Sequence, residues 1–220
     1  MLRTLAKIIS VVFHPLLVVT YTLILLLLVN PYQFGVYSIR EQGKFILLVF
    51  LSTFVMPAFA VFMMKSLGMV RSMQLHDRYE RIGPYIITGI FYLWMFINFK
   101  NNSLIPKPFT IAMLGATIAL FTAFFVNNFT KISAHAVGMG GLAGVAVINT
   151  ILFNFDTFTI NVPLLGLFEL STNFVMMCVI VLAGMVCTAR LLLEAHTEKQ
   201  LYGGLAVGFA AQFVALAFMY

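Results

Sequence analysis

The spacing best suited to chemistry lies between Arg190 and Gln200. His196 follows Arg190 by six residues and precedes Gln200 by four. Residues four apart share one face of a helix, so the Gln200 side chain can reach the His196 ring. An imidazole held at one nitrogen by an acceptor keeps its other nitrogen free to react. The segment therefore predicts an oriented, chemically active histidine at position 196.

A second segment, residues 131–141, combines a cation, a hydroxyl and another histidine. Lys131, Ser133 and His135 precede a run of small residues, at the expected N-terminus of a helix. Free N–H groups and the helix dipole favour an anion at such a position. Glycines in the run allow a backbone or a neighbouring helix to approach closely. This segment predicts a binding place for phosphate.

A third segment carries three arginines within eleven residues, Arg71, Arg78 and Arg81. Guanidinium groups are the side chains best shaped to bind phosphate oxygens in pairs. Taken alone, the segment is typical of an ordinary basic loop. Ser133 and His135 alone are likewise typical of a helix cap beside a packed histidine. The three segments point to a common site only if the fold brings them together.

The composition is that of a membrane protein. Hydrophobic residues make up 62% of the chain and charged residues 9%, against about 25% charged in soluble domains. About 20 apolar residues cross a hydrocarbon core roughly 30 Å thick, and several such stretches occur here. Backbone groups in lipid must pair internally, and the continuous apolar runs lack the alternation of a barrel. We therefore expect an all-α fold, a polytopic transmembrane helical bundle.

Seven apolar segments separated by short polar connections predict one domain, residues 1–220, whose motif-bearing core covers about residues 65–205. The third segment is short, and polar residues run deep between the sixth and the seventh. Six spans with a re-entrant piece therefore remain an alternative. The segments lie near residues 9–29, 44–64, 82–98, 109–127, 134–153, 171–189 and 202–219.

The three chemical segments fall in connections on one side of the membrane. Connections after even-numbered spans lie on the side of the N-terminus, and these segments follow the second, fourth and sixth spans. That side carries nine Lys and Arg residues against four, which the positive-inside rule would place in the cytoplasm. If five of the nine serve a site, the count becomes four against four and indicates no orientation.

In order and spacing, the three segments resemble the motifs of the type 2 phosphatidic acid phosphatase superfamily, which also contains vanadium haloperoxidases. Arg190 and His196 match its third motif, Ser-Arg, five residues, His, three residues, Asp. Ala189 stands in place of the Ser and Gln200 in place of the Asp. The stretch HTEKQLYGG resembles the His-Thr-x-x-Gln variant of dolichyl-diphosphatase-like members.

The other two motifs match less completely. Ser133 and His135 fit the family's Pro-Ser-Gly-His, with Ile132 in place of the proline. The first family motif is a Lys followed seven residues later by Arg and then Pro, and no Lys stands at that place here. Two pairs of residues have the seven-residue spacing, Arg71 with Arg78 and Gln74 with Arg81. The proline does not follow the second residue of either pair directly and is displaced to Pro84.

The resemblance implies a metal-independent lipid phosphatase that needs no cofactor. In that mechanism His196, oriented by Gln200, attacks phosphorus and becomes phosphohistidine, and His135 protonates the leaving oxygen. Water then hydrolyses the adduct. The implied substrate is a lipid phosphate, either a polyprenyl diphosphate or a glycerolipid such as phosphatidic acid. The implied phosphate-binding residues are Arg190, Ser133, Arg78, Arg81, Arg71 and Lys131.

Other interpretations stay open at this point. A homologue silenced by its neutral Gln200 would act as an anion or lipid transporter or as a scaffold. A lipid phosphotransferase would pass the phosphate to an alcohol. We expect no nucleic-acid partner, a bacterial inner (plasma) membrane location and, from the resemblance, a site on the outer face; the oligomeric state is not predicted. His14, inside the first span, is interpreted as a tolerated polar residue near the interface, and His76 as a residue that is either solvated or flanks the site.

Overall fold

The computed structural model describes residues 1–72, 77, 79–162 and 166–220. Within these residues, seven helices are long and apolar enough to cross a membrane. The predicted all-α transmembrane bundle of six to seven spans is therefore confirmed, and the chain is an integral membrane protein. Numbered in chain order as spans 1 to 7, the helices are Leu2–Val29, Pro31–Ser66, Tyr79–Lys100, Lys107–Phe129, Ala134–Leu152, Thr172–Leu192 and Glu198–Met219.

Span 1 is broken near its middle. Its pieces are the α-helix Leu2–Val12, the 3-10 turn Pro15–Leu17 and the α-helix Val18–Val29. Pro15 has no N–H, and it holds the preceding His14 in an extended conformation with φ −60° and ψ 135°. The hydroxyl of Tyr21 donates to the Val12 carbonyl oxygen at 2.6 Å and so satisfies a backbone group next to the break. The break places His14 at a kink within the bundle.

Span 2 begins with 3-10 turns and contains a π-helical turn. Its pieces are Pro31–Phe34, Ile39–Gln42, Gly43–Phe50, the π-helical Leu51–Val55 and Met56–Ser66. Pro57 cannot donate the backbone hydrogen bond that a regular helix would place there, and the π-helical turn ends two residues before it. Such turns often lie at functional sites. Here Phe54 in the turn packs against His14, with ring centroids 6.0 Å apart.

A β-hairpin joins spans 5 and 6 on the face opposite the N-terminus. Strand β1, Thr157–Val162, pairs antiparallel with strand β2, Gly166–Ser171, in a register that sets Thr157 opposite Ser171. The sequence interpretation did not predict this hairpin. Alternating β-branched and aromatic residues at its start favour an extended strand over a helix.

Span 5 is the most buried of the seven spans and packs closely against span 7. A Cβ added at Gly208 would meet the Val137 carbonyl oxygen, and one added at Gly140 would meet backbone atoms of Leu205. In a bilayer, small residues let helix backbones approach closely and pack by van der Waals contact. This contact brings the starts of spans 5 and 7 together, and with them the segments around His135 and His196.

Candidate active site

His196 lies in the short connection between spans 6 and 7, next to the start of span 7. Its Nδ1 is 2.9 Å from the Gln200 side-chain oxygen, which can only accept, so Nδ1 carries the proton of the neutral ring. The same oxygen accepts the Thr197 backbone N–H at 3.4 Å as part of a capping box. His196 Nε2 therefore keeps its lone pair for chemistry, as the four-residue spacing predicted.

The surroundings of His196 favour a neutral ring. Burial lowers the pKa of His196 to about 4, and only 8% of the residue is exposed. The hydrogen bond to Gln200 opposes this shift, whereas the positive charges of Arg190, Arg81 and Lys131 add to it. At neutral pH the ring is thus deprotonated at Nε2 and surrounded by cations. That combination suits a nucleophile facing an anionic group.

Arg190 and His135 are tied together by Ser10 of span 1. Arg190 Nη1 donates to the Ser10 hydroxyl at 2.6 Å. His135 Nε2 lies 3.0 Å from the Ser10 carbonyl oxygen and 3.2 Å from its hydroxyl, and the carbonyl fixes Nε2 as the protonated nitrogen. The Nε of Arg190 is buried and has no hydrogen-bond partner among the described residues. Ser10 was not among the predicted site residues, because no local spacing connects span 1 with span 6.

His14 joins the same group of side chains. Its ring centroid lies 6.0 Å from that of His135, and its Nδ1 accepts the Leu16 backbone N–H at 3.3 Å. In the neutral ring Nε2 therefore carries the proton. The structure places His14 in the wall of the cavity described below, where the sequence interpretation had taken it for a tolerated interfacial residue. The available signal was an ionisable side chain within an apolar span.

Arg81 and Lys131 close the site from the start of span 3 and from the connection after span 4. Arg81 ends the 3-10 turn that begins span 3, and its Nη1 donates to the Ile132 carbonyl oxygen at 3.1 Å. Lys131 Nζ donates to the Ala195 carbonyl oxygen at 3.1 Å. Burial lowers the pKa of Lys131, and the charges of Arg81 and Arg190 lower it further. These hydrogen bonds link the start of span 3 to the connections after spans 4 and 6, and the parity of the spans had placed all three on one face.

Two of the predicted phosphate-binding residues, Ser133 and Arg71, do not line this site. The hydroxyl of Ser133 accepts the Ala136 backbone N–H at 3.4 Å as the N-cap of span 5, and Ser133 is 0% exposed. The Arg71 side chain is 94% exposed and lies 3.9 Å from the carboxylate of Glu80. Arg78 lies outside the described residues, as do Gln74 and His76.

The site forms the polar mouth of one large cavity. The cavity has a volume of about 940 Å³, and its deeper walls are mainly apolar. Glu194 is the one acidic residue among the described lining residues, and it pairs with Arg3. The mouth is therefore strongly cationic and suited to an anion. Its polar lining consists of Lys7, Ser10, His14, Arg81, Lys131, His135, Arg190, Glu194 and His196.

Among the described residues, no three His, Cys, Asp or Glu side chains are grouped in a way that could hold a metal ion. The polar lining contains chiefly groups that can donate hydrogen bonds to an anion, whereas hard metal ions are bound mainly by oxygen ligands. The arrangement can bind and polarise a phosphate through cations while a neutral imidazole faces the same space.

No protein-family model matches this chain, and neither a curated protein nor a solved structure matches it. The likeness to the phosphatase superfamily is thus carried by the residues of the three motifs. Of these residues, Arg81, His135, Arg190 and His196 line the same cavity mouth.

Proposed function

We propose that the protein is a membrane phosphatase that hydrolyses a lipid phosphate or diphosphate through a phosphohistidine intermediate. One observation carries this proposal. A neutral histidine, His196, is oriented by Gln200 at a cationic mouth above a cavity with mainly apolar walls. A phosphate at the mouth and an apolar chain below it suit the two kinds of lining at the same time.

The chemistry starts at the free nitrogen of His196. The Nε2 lone pair forms a bond to phosphorus, and the bond between phosphorus and the lipid oxygen breaks with its electrons on that oxygen. The negative charge of the bound phosphate favours the protonated form of His135, which supplies the proton that the oxygen takes up. Water then attacks the phosphohistidine and gives a proton to the now neutral His135, the nitrogen–phosphorus bond breaks with its electrons on His196 Nε2, and inorganic phosphate leaves. Both histidines that take part in these steps line the mouth of the same cavity.

Cations stabilise the charge that builds on phosphorus. Arg190, Arg81 and Lys131 surround the His196 ring closely enough for their charges to act on it. In phosphoryl transfer such positioned charges supply most of the catalytic effect. The unpartnered Arg190 Nε and the protonated Nε2 of His14 add further donors for phosphate oxygens.

The site is proposed to lie on the outer face of a bacterial inner membrane, as in the family that the motifs resemble. Lys199, an exposed residue beside the site, offers a test. In intact cells, a cysteine at position 199 would react with a membrane-impermeant maleimide. Labelling only after the cells are permeabilised would instead place the site in the cytoplasm. Cys178 and Cys187 lie within span 6, and a variant lacking both removes their background.

The decisive experiment measures phosphate release by detergent-purified protein from a polyprenyl diphosphate and from phosphatidic acid, with a chelator present. We expect release from at least one lipid, its loss in His196→Ala, and its retention in Lys199→Ala, a control at an exposed neighbouring position. The wild type should also form an acid-labile phosphohistidine that His196→Ala lacks.

Three other outcomes would change the proposal. Transfer of phosphate to an added acceptor lipid instead of water would identify a lipid phosphotransferase. Binding of the lipid with neither release nor a phosphohistidine would favour a transporter or scaffold. Release that His196→Ala retains would assign the chemistry to another residue.

A further inference from the structure

We propose that the cavity is a tunnel that draws one apolar chain of the lipid into the helix bundle, with its end wall formed by the aromatic side chains around Phe109. The proposal rests on the proposed function only for the chemistry of the head group. It replaces the simplest arrangement for an interfacial enzyme, in which the chain stays in the surrounding bilayer.

The cavity is deep enough for a lipid chain. Its lining residues on span 4 extend from Ala123, near the mouth, to Phe109, near the opposite face. These residues are fourteen positions apart, which corresponds to about 21 Å along an α-helix. The hydrocarbon core of a bilayer is about 30 Å thick. The cavity therefore crosses roughly two thirds of the membrane inside the protein.

A line of small side chains on span 4 creates the space. Ala112, Ala116, Ala119 and Ala123 all line the cavity, and their spacing of four, three and four residues keeps them on one helix face. Gly138 and Gly141 of span 5 line it as well. Larger residues at these positions would fill the volume that the structure leaves open.

Aromatic rings close the deep end. Phe109 is 0% exposed and lines the cavity. Its ring centroid lies 5.4 Å from that of Phe99, 5.7 Å from that of Phe45 and 6.5 Å from that of Phe34. These rings belong to a buried hydrophobic cluster at the far face of the bundle. An apolar chain entering from the mouth would end against this cluster.

The charge distribution decides which molecule fits. The mouth presents Lys7, Arg81, Lys131 and Arg190, while the walls toward Phe109 are mainly alanine, valine, leucine and aromatic side chains. A phosphate carries about −1.5 to −2 charges near neutral pH and stays with the cations. A molecule with one anionic end and one long apolar chain matches both parts of the cavity.

The test is photolabelling in nanodiscs, with His196→Ala protein so that turnover plays no part. The probe is a hexadecyl phosphonate, which has no ester bond to hydrolyse, with a diazirine at the end of its chain. We expect mass spectrometry to locate the label on cavity residues of spans 3 and 4, between Thr88 and Tyr92 and between Phe109 and Ala116. The same phosphonate with the diazirine beside the head group should label residues near the mouth.

A matched pair of variants checks the path of the chain. Ala116→Phe places a ring in the tunnel and should reduce labelling beyond it at least tenfold, whereas Thr122→Phe adds a ring at an exposed position of the same helix and should leave it unchanged. Ala116→Leu gives a milder block if the phenylalanine variant does not fold. Label confined to outward-facing residues such as Ile90, Trp94 and Phe125 would overturn the tunnel. Phosphate release has no part in the readout, so the tunnel and the enzymatic activity can fail separately.

Discussion

At the scale of single residues, the neutral side chains of Gln200 and Ser10 hold two histidines and one arginine of the site in place by hydrogen bonds. Gln200 fixes the His196 tautomer without adding a negative charge, and Ser10 holds both Arg190 and His135. A carboxylate in place of Gln200 would stabilise the imidazolium form, which the amide does only weakly. The neutral amide leaves the histidine with a low pKa and an available lone pair.

Gln200→Glu should move the pH dependence of the proposed phosphatase reaction. In the wild type the pKa of His196 is about 4. Above that pH the ring is neutral and its Nε2 lone pair can react, and below it the ring is protonated and unreactive. A carboxylate at position 200 stabilises the imidazolium, raises this pKa and shifts the acid limb of kcat/KM to higher pH. Rates measured from acid to neutral pH, with an NMR titration of the histidine, would detect the shift. An unmoved acid limb would contradict the role given to His196.

Ser10→Ala should lower kcat/KM while leaving the protein folded. The change removes the hydroxyl that Arg190 contacts at 2.6 Å, and a hydrogen bond to a charged group contributes about 1.5–3 kcal/mol. If the whole effect appears in the transition state, the rate falls about 10- to 100-fold. Ser10→Thr keeps the hydroxyl and should retain most of the activity. If Ser10→Ala is as active as Ser10→Thr, the hydroxyl at this position does not position Arg190.

At the scale of helices, the contact between spans 5 and 7 sets the distance between the two histidine-bearing connections. Both spans have glycines where their backbones meet. A methyl group added at Gly140 or Gly208 would therefore collide with backbone atoms, which cannot move aside as a flexible side chain can. The helix contact is therefore a structural requirement of the site as well as of the fold.

Gly208→Ala should destabilise the bundle, because the new methyl group would collide with backbone atoms of Val137 and Gly141. Overpacking of this kind costs about 1–3 kcal/mol. Gly203→Ala, on the same helix with no atom within 4 Å of the added Cβ, should instead stabilise it by about 0.5–1 kcal/mol. Thermal unfolding in detergent would measure the stability of each variant. A Gly208→Ala variant as stable as Gly203→Ala would argue against the close contact.

The helices could be predicted from sequence because lipid permits few other structures, and continuous apolar runs then locate them. The His196 and Gln200 contact could be predicted because it is local to one helical turn. Ser10 and the cavity could not, since both depend on how distant spans pack. The hairpin Thr157–Ser171 was missed because it is short and lies between two strong helical signals. Ser133 shows the limit of motif spacing, because its hydroxyl caps a helix and does not face the mouth.

At the scale of the whole molecule, cations are concentrated at one end of a bundle that is otherwise apolar. Lys7, Arg81, Lys131 and Arg190 line a single mouth, with one carboxylate among the described lining residues. Such a concentration attracts anions over a distance set by ionic strength, about 10 Å at 0.1 M salt. Capture of the substrate should respond to salt more than the buried chemistry does.

Raising the salt concentration from about 0.05 M to about 0.5 M should raise KM several-fold and change kcat little, because exposed charges are screened and buried ones are not. Initial rates with lipid in a nonionic detergent would measure both constants. Lys7→Gln, at the mouth, should weaken the salt dependence, and Lys44→Gln, on the opposite face, should not. A KM that is indifferent to salt would mean that the mouth does not attract the substrate.

The capping box at the start of span 7 has one more consequence. The Gln200 oxygen that orients His196 also accepts the Thr197 backbone N–H, so one atom joins the nucleophile to the first turn of a helix. Helix ends fray and re-form continually. Each time this end frays, the histidine loses its fixed tautomer, so the active fraction of the proposed phosphatase follows the local helix–coil equilibrium of a single turn.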